Sequence, residues 1–125
     1  MPSQRSDRAA APLAFAVALG LAFVPRSATA LEAVMQGLDK VTARVSTFAA
    51  PLHQPVRFGT LEVTAQSCVK RPPEEPPETA AFIEIYEIRP EQAKQRIFAG
   101  WMFASSPGLN PLEHAVYDVW LKDCR

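Results

Sequence analysis

The sequence predicts an all-β domain, a small antiparallel β-sandwich or partly open barrel of five to six strands, preceded by a signal-peptide helix. Three observations carry this. Past residue 30, short runs of β-branched and aromatic residues alternate apolar with polar at a period of two. Most of the 12 prolines and five glycines fall between those runs, where they close strands and turn the chain. No stretch of the same region carries helical periodicity over a useful length, and no internal repeat or heptad pattern is present.

The leader is read first. Arg5 and Arg8 form a positive start, residues 13–24 (LAFAVALGLAFV) an apolar run, and Ala28-Thr29-Ala30 a small-residue cleavage site. The run is shorter than the ~20 residues that span a bilayer. Residues 1–30 are therefore expected to be a signal peptide and residues 31–125 a single secreted β domain, periplasmic or secreted, with no membrane span after cleavage. No cysteine follows the apolar run, so no lipoprotein anchor is indicated. Of 13 basic and 13 acidic residues, Arg5, Arg8, Arg26 and Asp7 leave with the leader; 10 against 12 remain, net −2. That balance offers no footprint for nucleic acid or an anionic membrane.

In chain order, Ala33 to Met35 read as a short strand, with Gly37 to Lys40 as a turn. Residues 41–48 (VTARVSTF) alternate, placing Val41, Ala43 and Val45 on one face of a half-buried strand that Pro51 ends; His53 follows in a loop. Residues 56–69 (VRFGTLEVTAQSCV) form the longest strand candidate, with Leu61, Val63 and Ala65 inward and Gly59 at a bulge or tight bend. Cys68 falls in phase with the polar set, so either a second bulge shifts the register or a bond at Cys68 lies near the sheet's end. Residues 70–78 (KRPPEEPPE) carry four prolines and three glutamates and read as a stiff solvated connection that guards a sheet edge. Residues 79–88 and 95–104 are strands with apolar residues on both faces. Residues 105–114 (SSPGLNPLEH) form a turn-rich insert pinned by Leu109 and Leu112, and residues 115–121 (AVYDVWL) are the final strand.

Export gives the two cysteines a meaning. An even pair in an oxidising compartment is expected to bond, Cys68 to Cys124. Closing a loop of 56 residues is worth roughly 4 kcal/mol in the chain-entropy picture. No catalytic residue, metal or cofactor is assigned. The best polar constellation, Glu113, His114 and Asp118, is a weak candidate for a general base or ligand-binding site, because two side chains on one strand face do not make a catalytic centre. Ser105 and Ser106 lack a nucleophile elbow, and Gly59, Gly100 and Gly108 are too isolated for a phosphate loop.

Trp101, Phe103, Tyr117 and Trp120 form the candidate partner surface. Two adjacent strands apolar on both faces exceed what one small core can cover, and exposed aromatic patches mark contacts. The expected function is that of a non-catalytic periplasmic accessory or protein-binding module with a partner in the cell envelope. The alternative is a small envelope enzyme or ligand binder using Glu113, His114 and Asp118.

The stretches Pro55 to Leu61 (PVRFGTL), Cys68 to Glu78 (CVKRPPEEPPE), Phe98 to Pro107 (FAGWMFASSP), Glu113-His114 and Tyr117 to Trp120 (YDVW) together resemble an alphaproteobacterial family of small secreted proteins, domain of unknown function two-one-five-five. The resemblance covers residues 34–124 and implies a periplasmic, Gram-negative setting. It carries over no catalytic residue, ligand or partner. The family's His-Pro pair reads His114-Ala115 here.

Overall fold

A computed structural model describes Gly20 and residues 30–125. The chain forms seven strands: β1 (Glu32–Asp39), β2 (Arg44–Pro51), β3 (Val56–Phe58), β4 (Leu61–Lys70), β5 (Thr79–Glu87), β6 (Gln95–Phe103) and β7 (Tyr117–Cys124). A 3-10 turn, Pro107–Leu109, interrupts the last connection. The strands make two antiparallel sheets, ordered β2-β1-β7 and β3-β4-β5-β6, packed as an open sandwich rather than closed into a barrel. The leader expected over residues 1–30 lies outside the described residues apart from Gly20 and Ala30. No helix of the described residues is long and apolar enough to cross a membrane.

The strand count exceeds the expected five to six because the long 56–69 stretch divides. Gly59, at φ +59°, and Thr60 make a two-residue hairpin turn between β3 and β4, where a bulge was one of two expectations. A side chain at Gly59 would strike the Tyr117 ring, so the residue serves both the turn and the close approach.

Two further boundaries differ from expectation. Gly37 lies inside β1 rather than in a turn. A Cβ there would run into the Phe58 ring, so glycine lets that ring lie across the strand. The turn comes later, at residues 40–43, where Asp39 Oδ1 accepts from the backbone N–H of Val41 at 2.9 Å and of Thr42 at 3.2 Å. Val41 is consequently 77 % exposed and Val45 56 % exposed. The alternation over 41–48 is real, but the outer half of this hairpin projects past the core, so neither face is buried.

The inner faces follow the pleat. Ala33 and Met35 from β1, Ala50 from β2, and Val119 and Leu121 from β7 meet Leu61, Val63 and Ala65 from β4 and Ala81, Ile83 and Ile85 from β5. Each fully buried Leu or Ile contributes about 1.5–3 kcal/mol. Gln66 is the extra residue of a bulge between Ala65 and Ser67, which returns Cys68 to the inner face. There it bonds to Cys124 with Cα atoms 5.8 Å apart, joining β4 of one sheet to β7 of the other.

Candidate functional site

Strand β7 is fastened at both ends. At its end Cys124 is held by Cys68. Just before its start, His114 sits in a polar cluster at the mouth of a cleft of about 470 Å³, lined in part by Thr60, Glu87, Arg89, Glu113 and Tyr117. The segment before β7 is not a strand, and that governs the histidine. His114 Nδ1 accepts from the backbone N–H of Val116 at 3.0 Å and of Tyr117 at 3.1 Å. Nδ1 is therefore the acceptor, and the opposite nitrogen carries the hydrogen. That Nε2–H donates to Glu87 Oε2 at 2.7 Å.

Glu87 ends β5, where the ladder to β6 has been reset by a bulge between Ile85 and Tyr86. Its Oε1 accepts from Thr60 Oγ1 at 3.3 Å and Arg89 Nε at 3.4 Å. Burial pushes the Glu87 carboxyl up, but the hydrogen bond and electrostatic pull of the His114 N–H, followed by the hydrogen bond and charge of Arg89, outweigh it and hold the group below the ordinary carboxylate value. The side chains of His114 and Glu87 are only 14 % and 11 % exposed. Lys40, from the first hairpin, donates its Nζ to the His114 carbonyl at 2.7 Å. Both ring nitrogens are thus engaged within the protein, and Glu87 accepts from three different residues. Chemically the cluster is a staple between sheets, with no free nitrogen to act as a base.

The three polar residues singled out from sequence do not converge as a triad. Glu113 is exposed on the cleft rim. Asp118 lies in the β1–β7 ladder opposite Leu38, away from that cleft. The partner of His114 is Glu87, which sequence spacing passed over because 27 residues separate them. The only signal for it was the polar end of an otherwise apolar strand. His53 is elsewhere, exposed beside the Gln66 bulge with Nδ1 2.9 Å from Gln66 Oε1. Among the described residues no three His, Cys, Asp or Glu side chains gather as a metal would require.

The aromatic set separates into three places. Trp101 and Phe103 lie on the outer face of the four-stranded sheet, on β6. Trp101 is 41 % exposed, and its ring meets Phe82 of β5 edge to face at 5.6 Å. Phe103 extends this face into a second cleft, about 710 Å³, flanked by the Pro-rich 71–78 connection. Trp120 occupies the outer face of the other sheet, half-buried, donating Nε1–H to Gln36 Oε1 at 3.1 Å. Tyr117 stands in the seam, edge-on to Phe58 at 5.5 Å and tilted against His114 at 5.4 Å.

Residues 33–124 match the family described as uncharacterized protein conserved in bacteria, DUF2155. The uncharacterized protein RP359 of Rickettsia prowazekii (strain Madrid E) is 26 % identical over 87 residues, covering 70 % of this chain and 56 % of that protein. This chain therefore spans little more than half the length of that relative. No solved structure matches.

Proposed function

We propose a function for a chain that belongs to the DUF2155 family of proteins conserved in bacteria: it is an accessory binding module, exported to the periplasm, that docks a protein of the cell envelope through the outer face of β5 and β6 and does no catalysis. The observation that carries this reading is Trp101. The ring is large and 41 % exposed, it is braced by Phe82, and its indole N–H has no partner among the described residues. Rigid amphipathic rings of this kind anchor protein contacts at little entropic cost. The hydrogen bonding of His114 weighs against the rival reading of an enzyme or ligand binder at Glu113, His114 and Asp118, since both ring nitrogens are already used.

The test is Trp101→Ala in the full chain, scored by thermal melting and by crosslinking in native envelopes. The variant should melt within a few degrees of the parent and lose a specific crosslinked adduct formed from the 99–103 face. An adduct that survives the change at full yield, or a variant that fails to fold, rejects the outer face as the docking site.

A further inference from the structure

Strand β6 is one of the two edges of the four-stranded sheet, β3 being the other. The direction of its backbone groups follows from two hydrogen bonds. Ala104 N–H donates to Thr79 O at 2.9 Å, so even-numbered residues of this stretch bond to β5. Asn110 Nδ2 donates to the carbonyl of Trp101 at 3.0 Å from the opposite side, so Ala99, Trp101 and Phe103 point their N–H and C=O groups away from the sheet. Ser106 N–H takes the Phe103 carbonyl at 3.2 Å. The N–H groups of Ala99, Trp101 and Phe103 and the carbonyl of Ala99 remain unpaired among the described residues.

Edge strands are ordinarily blunted by lysine, proline or a bulge. Here the bulge lies earlier, at Ile97, and residues 99–103 (AGWMF) carry no charge and no proline. Among the described residues the guards are Asn110, whose side-chain amide stands where a neighbouring strand's N–H would be, and the 3-10 turn Pro107–Leu109, which lies against β6.

The charge beside residues 99–103 is mainly acidic, with Arg71 in the neighbouring cleft and Arg96 near the start of β6 as the basic exceptions. Glu84 lies across from Ala99 on the same outer face. Glu74, Glu75 and Glu78 line the cleft that Phe103 enters. Lys70 in that cleft is paired with Asp123 at 2.8 Å, leaving Arg71 as the counterweight. No cation lies within ion-pair distance of Glu74, Glu75 or Glu84 among the described residues.

Resting on the docking reading above, we infer that the occupant of this face is an extended, lysine- or arginine-bearing peptide segment of the partner, added as a fifth strand alongside residues 99–103 of β6. Backbone hydrogen bonds to Ala99 and Trp101 hold it. Its apolar side chains lie against Trp101 and Phe103, and its cations meet Glu84 and the glutamates of the 74–78 loop. This is recognition by strand addition, in which the main chain supplies affinity and alternate side chains supply selectivity.

The experiment titrates the full chain with a short synthetic peptide alternating lysine and valine. The controls are a glutamate–valine peptide and a lysine–valine peptide N-methylated at alternate residues, which cannot pair as a strand. Amide chemical shifts should move at Ala99, Trp101 and Phe103. Both control peptides should bind at least about tenfold more weakly. Ala99→Pro removes an outward N–H that makes no internal bond, a change an edge strand tolerates; it should weaken the lysine–valine peptide about tenfold at unchanged melting temperature. Glu84→Gln should weaken it about threefold. Absence of binding, equal binding of the two charge types, or full binding of the N-methylated peptide overturns strand addition, and the peptide control decides even where Ala99→Pro does not fold. If strand addition fails while Trp101→Ala still abolishes the envelope adduct, the docking reading stands without it. If both fail, the face is not a docking site.

Discussion

The seam around β7 and the outer face around Trp101 are built from similar residue types and end in opposite states. In the seam every strong group is spent on the protein itself. Cys68 and Cys124 are bonded, His114 uses both ring nitrogens, and Glu87 accepts from Thr60, Arg89 and His114. On the outer face the groups are left over among the described residues: an indole without a hydrogen-bond partner, edge amides facing outward, and Glu74, Glu75 and Glu84 without cations. Polar groups that satisfy one another in a half-buried site fasten elements together. Groups left unsatisfied at an accessible edge are available to something else. The difference separates residues that hold the sandwich shut from residues free to act outside it.

Breaking the seam should have the largest effect. Cys68→Ala removes the covalent link between the sheets and should cost about 2–5 kcal/mol. Chemical denaturation measures it, and alkylation of the native, unreduced chain should add no mass. Two adducts on that native protein would mean that the link is absent in solution and that the sheets are held together by packing and the His114 cluster alone.

The other end of β7 makes a smaller, pH-dependent contribution. The Glu87 carboxyl titrates below its ordinary value of 4.5 when folded. A lowered folded value gives stability that is complete above the unfolded pKa and lost as pH falls through the folded one. Glu87→Gln should therefore cost about 1–3 kcal/mol near neutral pH. Its melting temperature should converge on the parent's in acid. Asp123 will keep some slope in the variant, because the hydrogen bond from Lys70 holds its carboxyl down, against burial that raises it. Parallel curves at all pH values would show that the His114–Glu87 contact is not made in solution.

The outer face was more legible in the sequence than the seam. Period-two alternation put Ile83 and Ile85 on one face and Phe82 on the other, because a pleat imposes that order on any strand, and the structure buries the isoleucine face. The same rule exposed the out-of-phase Cys68, which the Gln66 bulge explains. It failed over Val41 to Val45, because alternation reports two faces and not whether anything covers either one. It also could not join His114 to Glu87, whose meeting depends on how β7 lies over β5. Nor could it separate Trp101 from Trp120: both alternate outward, and only the sheet order puts them on different sides of the sandwich.

The smallest expected effect tests the contrast between spent and unspent groups most directly. Trp120 donates its indole N–H to Gln36, and Gln36 Nε2 donates in turn to Thr47 Oγ1 at 3.4 Å, a polar ladder across all three strands of its sheet. Trp101 offers the same N–H to solvent. Replacing each tryptophan by phenylalanine keeps an aromatic ring and removes the N–H. Trp120→Phe should cost about 0.5–1.5 kcal/mol, the net worth of one hydrogen bond. Trp101→Phe should stay within about 0.5 kcal/mol of the parent, as surface changes do. The two changes sit on separate sheets with no shared partner, so their effects should add in the double variant. Equal costs for the two single changes would mean that the fold depends on Trp101 no less than on Trp120, and that the outer face of β6 has no more to offer a partner than the outer face of the three-stranded sheet does.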